Sequence, residues 1–311
     1  MFNFGKDLIK EVKKAMQKRI DSINKDNFEK FIPEAVKKEV STVVKRKEKR
    51  KRKFPWLALG IGAAAAAVGI GTAKLIYDKS LKKAVILVGD GKKPSKPLTI
   101  GGFKGYALKY TTIDEFDTVL DNLALSGIEE IVIVPMTVLN GYENEKIRKI
   151  AEYKGGLFAA VSYAPALMSS DEDYDYIAST LIACTAGVAD DTAVVYVGKG
   201  TTHYSNAAYI ALSERLKDFG CYNVFIGTAT AYPSFERVEK EIAEGRFEKV
   251  VVCPLELTLT DEFKNELCGD EESSWQYRFT ELGYECSCYL KGLCAYKGIR
   301  KLIVEHTKSA M

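Results

Sequence analysis

From Lys83 onward the hydrophobic and polar positions alternate between two periods. Short apolar, β-branched-rich runs at 84–88, 130–134, 157–162, 193–197, 223–227, 249–253 and 284–289 predict strands. Between them, apolar residues recur at helical spacing over 113–126, 143–153, 171–184, 204–219, 234–244, 274–282 and 297–309. This alternation predicts an α/β fold with parallel sheets covered on both faces. The run from Val194 to Val197 is followed by Gly198 and Gly200, which allow a sharp turn and close approach of a ligand. A polar tip of Thr201, Thr202 and His203 comes next. The carboxyl end of such a strand is where ligands bind in open α/β sheets.

The pattern also repeats. Ala-Val-Ile-Leu-Val-Gly-Asp-Gly at 84–91 parallels Ala-Val-Val-Tyr-Val-Gly-Lys-Gly at 193–200, an offset of 109. Ile-Val-Ile-Val-Pro-Met at 131–136 parallels Val-Val-Val-Cys-Pro-Leu at 250–255, an offset of 119. We read an internal duplication: two similar doubly wound, Rossmann-like lobes over 83–190 and 191–311, with a central cleft between their strand ends. The offsets set Asp90 against Lys199 and Glu143 against Glu262. One cleft is expected to collect Asp90, Glu143, Lys199, His203, Asp261 and Glu262.

The first 53 residues differ. They form a basic amphipathic arm in which Leu8, Ile9, Val12, Met16, Ile20 and Ile23 share one helical face. Such a helix either docks weakly in solvent or lies on an anionic membrane surface or partner helix. Lys45–Lys53 holds eight basic residues, and 54–73 then runs without a charge. That run spans roughly 30 Å as a helix, and we expect a single transmembrane helix over 54–77. The basic excess before it places the N-terminus in the cytoplasm and the globular part outside. Gly60, Gly62, Gly69 and Gly71 would permit close helix–helix approach, so a homo-oligomer is among the expected partners, with membrane lipid.

Charge sharpens the division. Residues 1–53 carry 18 Lys and Arg against 8 Asp and Glu, while the rest carries 27 against 34. The acidic body is a poor nucleic-acid binder. The seven cysteines show no C-x-x-C pair or zinc-finger spacing, so neither a metal knuckle nor a disulfide framework is expected. Cys286, Cys288 and Cys294 read as half-buried small residues, with a soft metal site or redox pair as the alternative. Dinucleotide-binding and nucleophile-elbow glycine motifs are absent. Carboxylates, an imidazole and an amine in one cleft suit metal binding or proton transfer.

The second half resembles the anaerobic sirohydrochlorin cobaltochelatases of cobalamin biosynthesis, within the class II tetrapyrrole chelatases. The resemblance lies in Gly198-Lys199-Gly200-Thr201-Thr202-His203, Asn206-Ala207-Ala208-Tyr209, Tyr232-Pro233, Pro254-Leu255 and Gly269-Asp270-Glu271-Glu272-Ser273-Ser274-Trp275. A looser likeness in the first half includes Gly141-Tyr142-Glu143. The resemblance implies a lyase that inserts Co2+, with iron or nickel as alternatives, into a metal-free tetrapyrrole. It implies catalytic roles at Lys199, His203 and Glu262, metal ligation by Glu143, Glu262 and His203, and macrocycle contacts at Gly198, Gly200, Thr201 and Tyr232. The chain departs from the family pattern where its two active-site histidines are expected, at Lys199 and Glu262, and Thr230 stands where a glutamate is expected. Protonated lysine has no lone pair, so Lys199 serves only if burial lowers its pKa. The alternative is a membrane-anchored tetrapyrrole- or metal-binding protein without catalysis.

Overall fold

The computed structural model describes residues 82–90, 94, 103 and 105–311. The basic arm of 1–53 and the apolar segment of 54–77 lie outside them. Among the described residues, no helix is long and apolar enough to cross a membrane.

Among the described residues, two four-stranded parallel sheets form the body. The first has the order β2-β1-β3-β4, from β1 (Lys83–Gly89), β2 (Tyr106–Thr112), β3 (Glu130–Pro135) and β4 (Ala160–Tyr163). The second has the order β6-β5-β7-β8, from β5 (Thr192–Gly198), β6 (Val224–Thr228), β7 (Lys249–Pro254) and β8 (Glu285–Cys288). The duplicated segments are therefore the two central strands of each sheet. Their registers match as well: Val88 pairs with Pro135, and Val197 with Pro254. Just beyond, Met136 N–H donates to Val88 O at 2.6 Å and Leu255 N–H to Val197 O at 2.7 Å.

The helices are α1 (Phe116–Leu125), α2 (Tyr142–Lys154), α3 (Asp171–Thr185), α4 (Ala207–Asp218), α5 (Phe235–Glu244), α6 (Asp261–Cys268), α7 (Trp275–Glu281) and α8 (Lys297–Ser309). Strand periodicity decides which layer each residue enters. Ala84, Ile86 and Val88 pack with Phe116 and Leu120 of α1 and Ile147 of α2. Ala193, Val195 and Val197 pack with Phe235 of α5, Phe263 of α6 and Phe279 of α7. The intervening Val85, Leu87, Val194 and Tyr196 share a third core with Ile177 of α3, Leu212 of α4 and Leu302 of α8. Both sheets are covered on both faces, which explains their near-continuous apolar central strands.

Two elements leave little trace in the sequence. β2 is an edge strand, half-buried along most of its length and broken by Lys109, so it shows little apolar signal. Only eight residues long, α6 begins at Thr260, whose hydroxyl accepts the Phe263 N–H at 3.2 Å. The strand expected at 157–162 begins three residues later, because Gly155–Leu157 closes a 3-10 turn. The cysteines also differ from expectation. Cys268 of α6 and Cys288 of β8 are joined as a disulfide with Cα atoms 6.4 Å apart, a pairing made by tertiary packing.

Candidate functional site

A cleft of about 450 Å3, counting space open to solvent at its mouth, lies at the carboxyl ends of the four central strands. Asp90 follows β1, Thr137 follows β3, Lys199 follows β5 and Glu256 follows β7, and Glu143 enters from the first turn of α2. In both sheets this is where neighbouring strands send their connections in opposite directions, the usual ligand crevice of open α/β sheets.

The loop after β5 is tightly built. A Cβ at Gly198 would run into the Tyr209 ring, so the close approach expected there is made by α4 rather than by a ligand. Gly200 has a φ of +79°, and a Cβ on it would come within 2.9 Å of Ala231. Between them, Lys199 donates its backbone N–H to Glu256 Oε1 at 3.0 Å. Its carbonyl accepts the Thr230 hydroxyl at 2.8 Å. Thr201 N–H donates to Asn206 Oδ1 at 3.0 Å, and Asn206 Nδ2 donates to Tyr232 O at 2.6 Å.

The electrostatics centre on Lys199 and Glu256. Lys199 Nζ is paired with Asp90, its counterpart at the 109 offset. Burial pulls the ammonium down, but the hydrogen bond to Asp90 and the charges of Asp90, Glu256 and Glu143 outweigh it, and the net shift is upward. Lys199 is therefore a fixed cation, which removes the role that a lowered pKa would have given it. Burial pushes the Glu256 carboxyl up to about 7, with opposing contributions from the Lys199 amide and charge. The Thr137 hydroxyl, at the position related to Glu256, is buried without a hydrogen-bond partner.

The structure brings Asp90, Glu143, Lys199, Gly200 and Thr201 to the cleft, but not every expected residue joins them. His203 is buried and caps the turn at Tyr204–Asn206. Its Nδ1 accepts the Ser205 N–H at 3.1 Å, and its Nε2 lies 3.3 Å from Glu145 Oε1 of α2. The Tyr142 ring packs edge-on at 4.9 Å. This imidazole is a tie between the halves, not a cleft ligand. Glu262 and Asp261 sit exposed on the first turn of α6, outside the cleft lining, and Tyr232 is exposed as well. Gly198 is also outside the lining. Among the described residues, no group of three or more His, Cys, Asp or Glu is arranged to hold a metal ion, so Glu143, His203 and Glu262 do not form the expected ligand set.

Glu256 is a cleft residue that the sequence motifs did not point to. The available signal was its place: the 119 offset puts it on Thr137, directly after the paired Pro-Leu and Pro-Met strand ends.

The family profile described as Cobalt chelatase (CbiK) matches residues 104–311. The chain is 27% identical over 192 residues to the sirohydrochlorin cobaltochelatase of Salmonella typhimurium, covering 62% of this chain and 72% of that protein. It is 28% identical over 156 residues to sirohydrochlorin cobaltochelatase CbiKC of Nitratidesulfovibrio vulgaris, covering 50% of this chain and 55% of that one. Among solved structures, SirB from Bacillus subtilis with Fe3+ aligns with a TM-score of 0.49 at 14% identity, over 73% of this chain and 95% of SirB.

Proposed function

Because this chain belongs to the cobalt chelatase (CbiK) family, we propose that its cleft holds a metal-free tetrapyrrole of the sirohydrochlorin type and catalyses insertion of Co2+. One observation carries the reading: carboxylates from both sheets, Asp90, Glu143 and Glu256, surround one cleft together with Lys199. Their negative charge draws a hydrated divalent cation toward the cleft. Glu143, exposed on the first turn of α2, is the carboxylate we assign to the arriving metal. Lys199 binds no metal in this scheme. Its ammonium, steadied by Asp90, pairs with a carboxylate on the edge of the macrocycle. Gly200 and Thr201 shape the wall that receives the ring. The proposal extends to 54–77 as a membrane anchor, with the N-terminus cytoplasmic and the globular part outside.

Lys199 also favours a second reading. A cation in the cleft repels a dication, which suits a protein that carries the ring without metallating it. The test uses the full chain in detergent, anaerobically, with sirohydrochlorin and Co2+, and follows absorbance against the uncatalysed rate. Fe2+ and Ni2+ run in parallel. Accelerated insertion supports the chelatase. A saturable spectral shift without acceleration supports the carrier, and neither response rejects both.

A further inference from the structure

We propose that Glu256 is the catalytic base of this cleft, the carboxylate that takes a proton from a macrocycle nitrogen as the metal enters. The inference rests on the chelatase reading above and names a group that reading does not require.

The place is fixed by backbone. Leu255 is bonded to β5 through its N–H, so Glu256 leaves β7 at the seam between the two central strands. Its side chain lines the cleft, and Oε1 is anchored by the Lys199 N–H at 3.0 Å. Anchoring one oxygen orients the carboxylate and leaves the other for a substrate proton.

The other candidates fail on geometry or charge. Lys199 is held protonated and has no lone pair. Asp90 is committed to Lys199. His203 has both ring nitrogens engaged outside the cleft. Glu262 is exposed on α6, away from the lining. Glu143 lines the cleft but is exposed at its mouth, and it is the carboxylate assigned to the arriving metal. Glu256 is half-buried, and its proton affinity is matched to neutral pH. The unpartnered Thr137 hydroxyl at the related position is a further sign that this wall is built for a polar ligand.

The step balances without any redox partner. Two pyrrole N–H bonds break, and both nitrogen lone pairs form bonds to the divalent metal. One proton goes to the free oxygen of Glu256 and the other to water at the open mouth of the cleft. Glu256 then releases its proton to solvent, so a dication has entered and two protons have left.

The experiment compares wild type, E256Q and E256D as full chains, measuring kcat and KM for sirohydrochlorin with Co2+ from pH 5.5 to 9. Glutamine keeps an oxygen for the Lys199 N–H, so the loop stays in place. For wild type, kcat should rise with pH and level off above about 7. E256Q should lose roughly 10²–10⁴-fold in kcat, with KM changed only a few-fold and the rising limb gone. E256D should recover part of the rate and restore the limb. An E256Q enzyme that retains wild-type kcat and pH profile overturns the assignment of Glu256 alone. A wild-type rate equal to the uncatalysed one overturns the chelatase reading and this inference together.

Discussion

The two sheets share strand order, register and backbone pairing at their ends, yet they bring opposite chemistry to the cleft. The first contributes Asp90 and Thr137 where the second contributes Lys199 and Glu256. Asp90 and Lys199 are equivalent by the repeat, and they meet each other. In any twofold-like arrangement, a residue near the axis faces its own counterpart. Had both positions kept the same charge, the duplicated fold would hold like charges together in a partly enclosed cleft. Opposite signs at the two positions make an ion pair there instead. Helices α2 and α6 differ in a second way. Glu143 and Glu262 occupy the same position in the first turns of equivalent helices, but only Glu143 reaches the cleft. Equivalence in a repeat holds for backbone further than it holds for side-chain environment.

The sharpest way to test the asymmetry is through Glu256 itself. A carboxyl raised from 4.5 to about 7 resists ionisation in the folded state, so it weakens the fold above pH 7 and has no such effect below pH 4. E256Q should therefore be more stable than wild type by up to about 3 kcal/mol at pH 8 and equal to it near pH 4, in denaturant titrations at each pH. A stability difference that does not vary with pH would break the claimed contrast with Thr137.

Of similar size is the contrast between the glycines that precede the paired Asp90 and Lys199. Gly198→Ala drives a Cβ into the buried Tyr209 ring, whereas Gly89→Ala meets the Met136 Cβ at 3.0 Å. We expect losses of about 3 and about 1 kcal/mol respectively, read from denaturation midpoints. Equal losses would mean that α4 does not crowd β5 as described.

A smaller effect concerns a tie between the halves. Asp173 of α3 accepts the Ser169 and Ser170 N–H groups at 3.0 and 2.9 Å and lies 2.7 Å from His306 Nε2 of α8. Burial raises this carboxyl, but the hydrogen bond and charge of His306 and the two amides win, and the net shift is downward. The stability it contributes is therefore present above pH 4 and fades as pH falls through the lowered value. Asp173→Ala should cost roughly 2 kcal/mol at pH 7, with the gap narrowing toward pH 3 in thermal melts. Smallest of all, Thr137→Val removes an unpartnered buried hydroxyl and should stabilise by about 1 kcal/mol at every pH, the flat counterpart to E256Q.

Much of the fold is legible in the order of apolar and polar residues, because buried parallel strands declare themselves as apolar runs and the repeat aligns β1 with β5 and β3 with β7. The edge strand β2 and the short helix α6 are silent, since half-exposure and brevity leave little periodic signal. The candidate site divides in the same way. Asp90 and Lys199 follow directly from strand ends, where backbone register dictates position. His203, Glu262 and Glu256 could not be sorted from sequence. Each lies beyond a strand end, and the packing of the following turn decides whether a side chain faces the cleft, a neighbouring helix or solvent. By itself, then, the sequence determined two repeated α/β lobes, a basic arm joined to an acidic body, and a strand-end cleft carrying acids and a lysine. Only the tertiary structure decided that the lysine stays charged, that the histidine is a tie, and that Glu256 has a proton affinity near neutrality. Those three outcomes depend on burial and on partners distant in the chain, which no local pattern encodes.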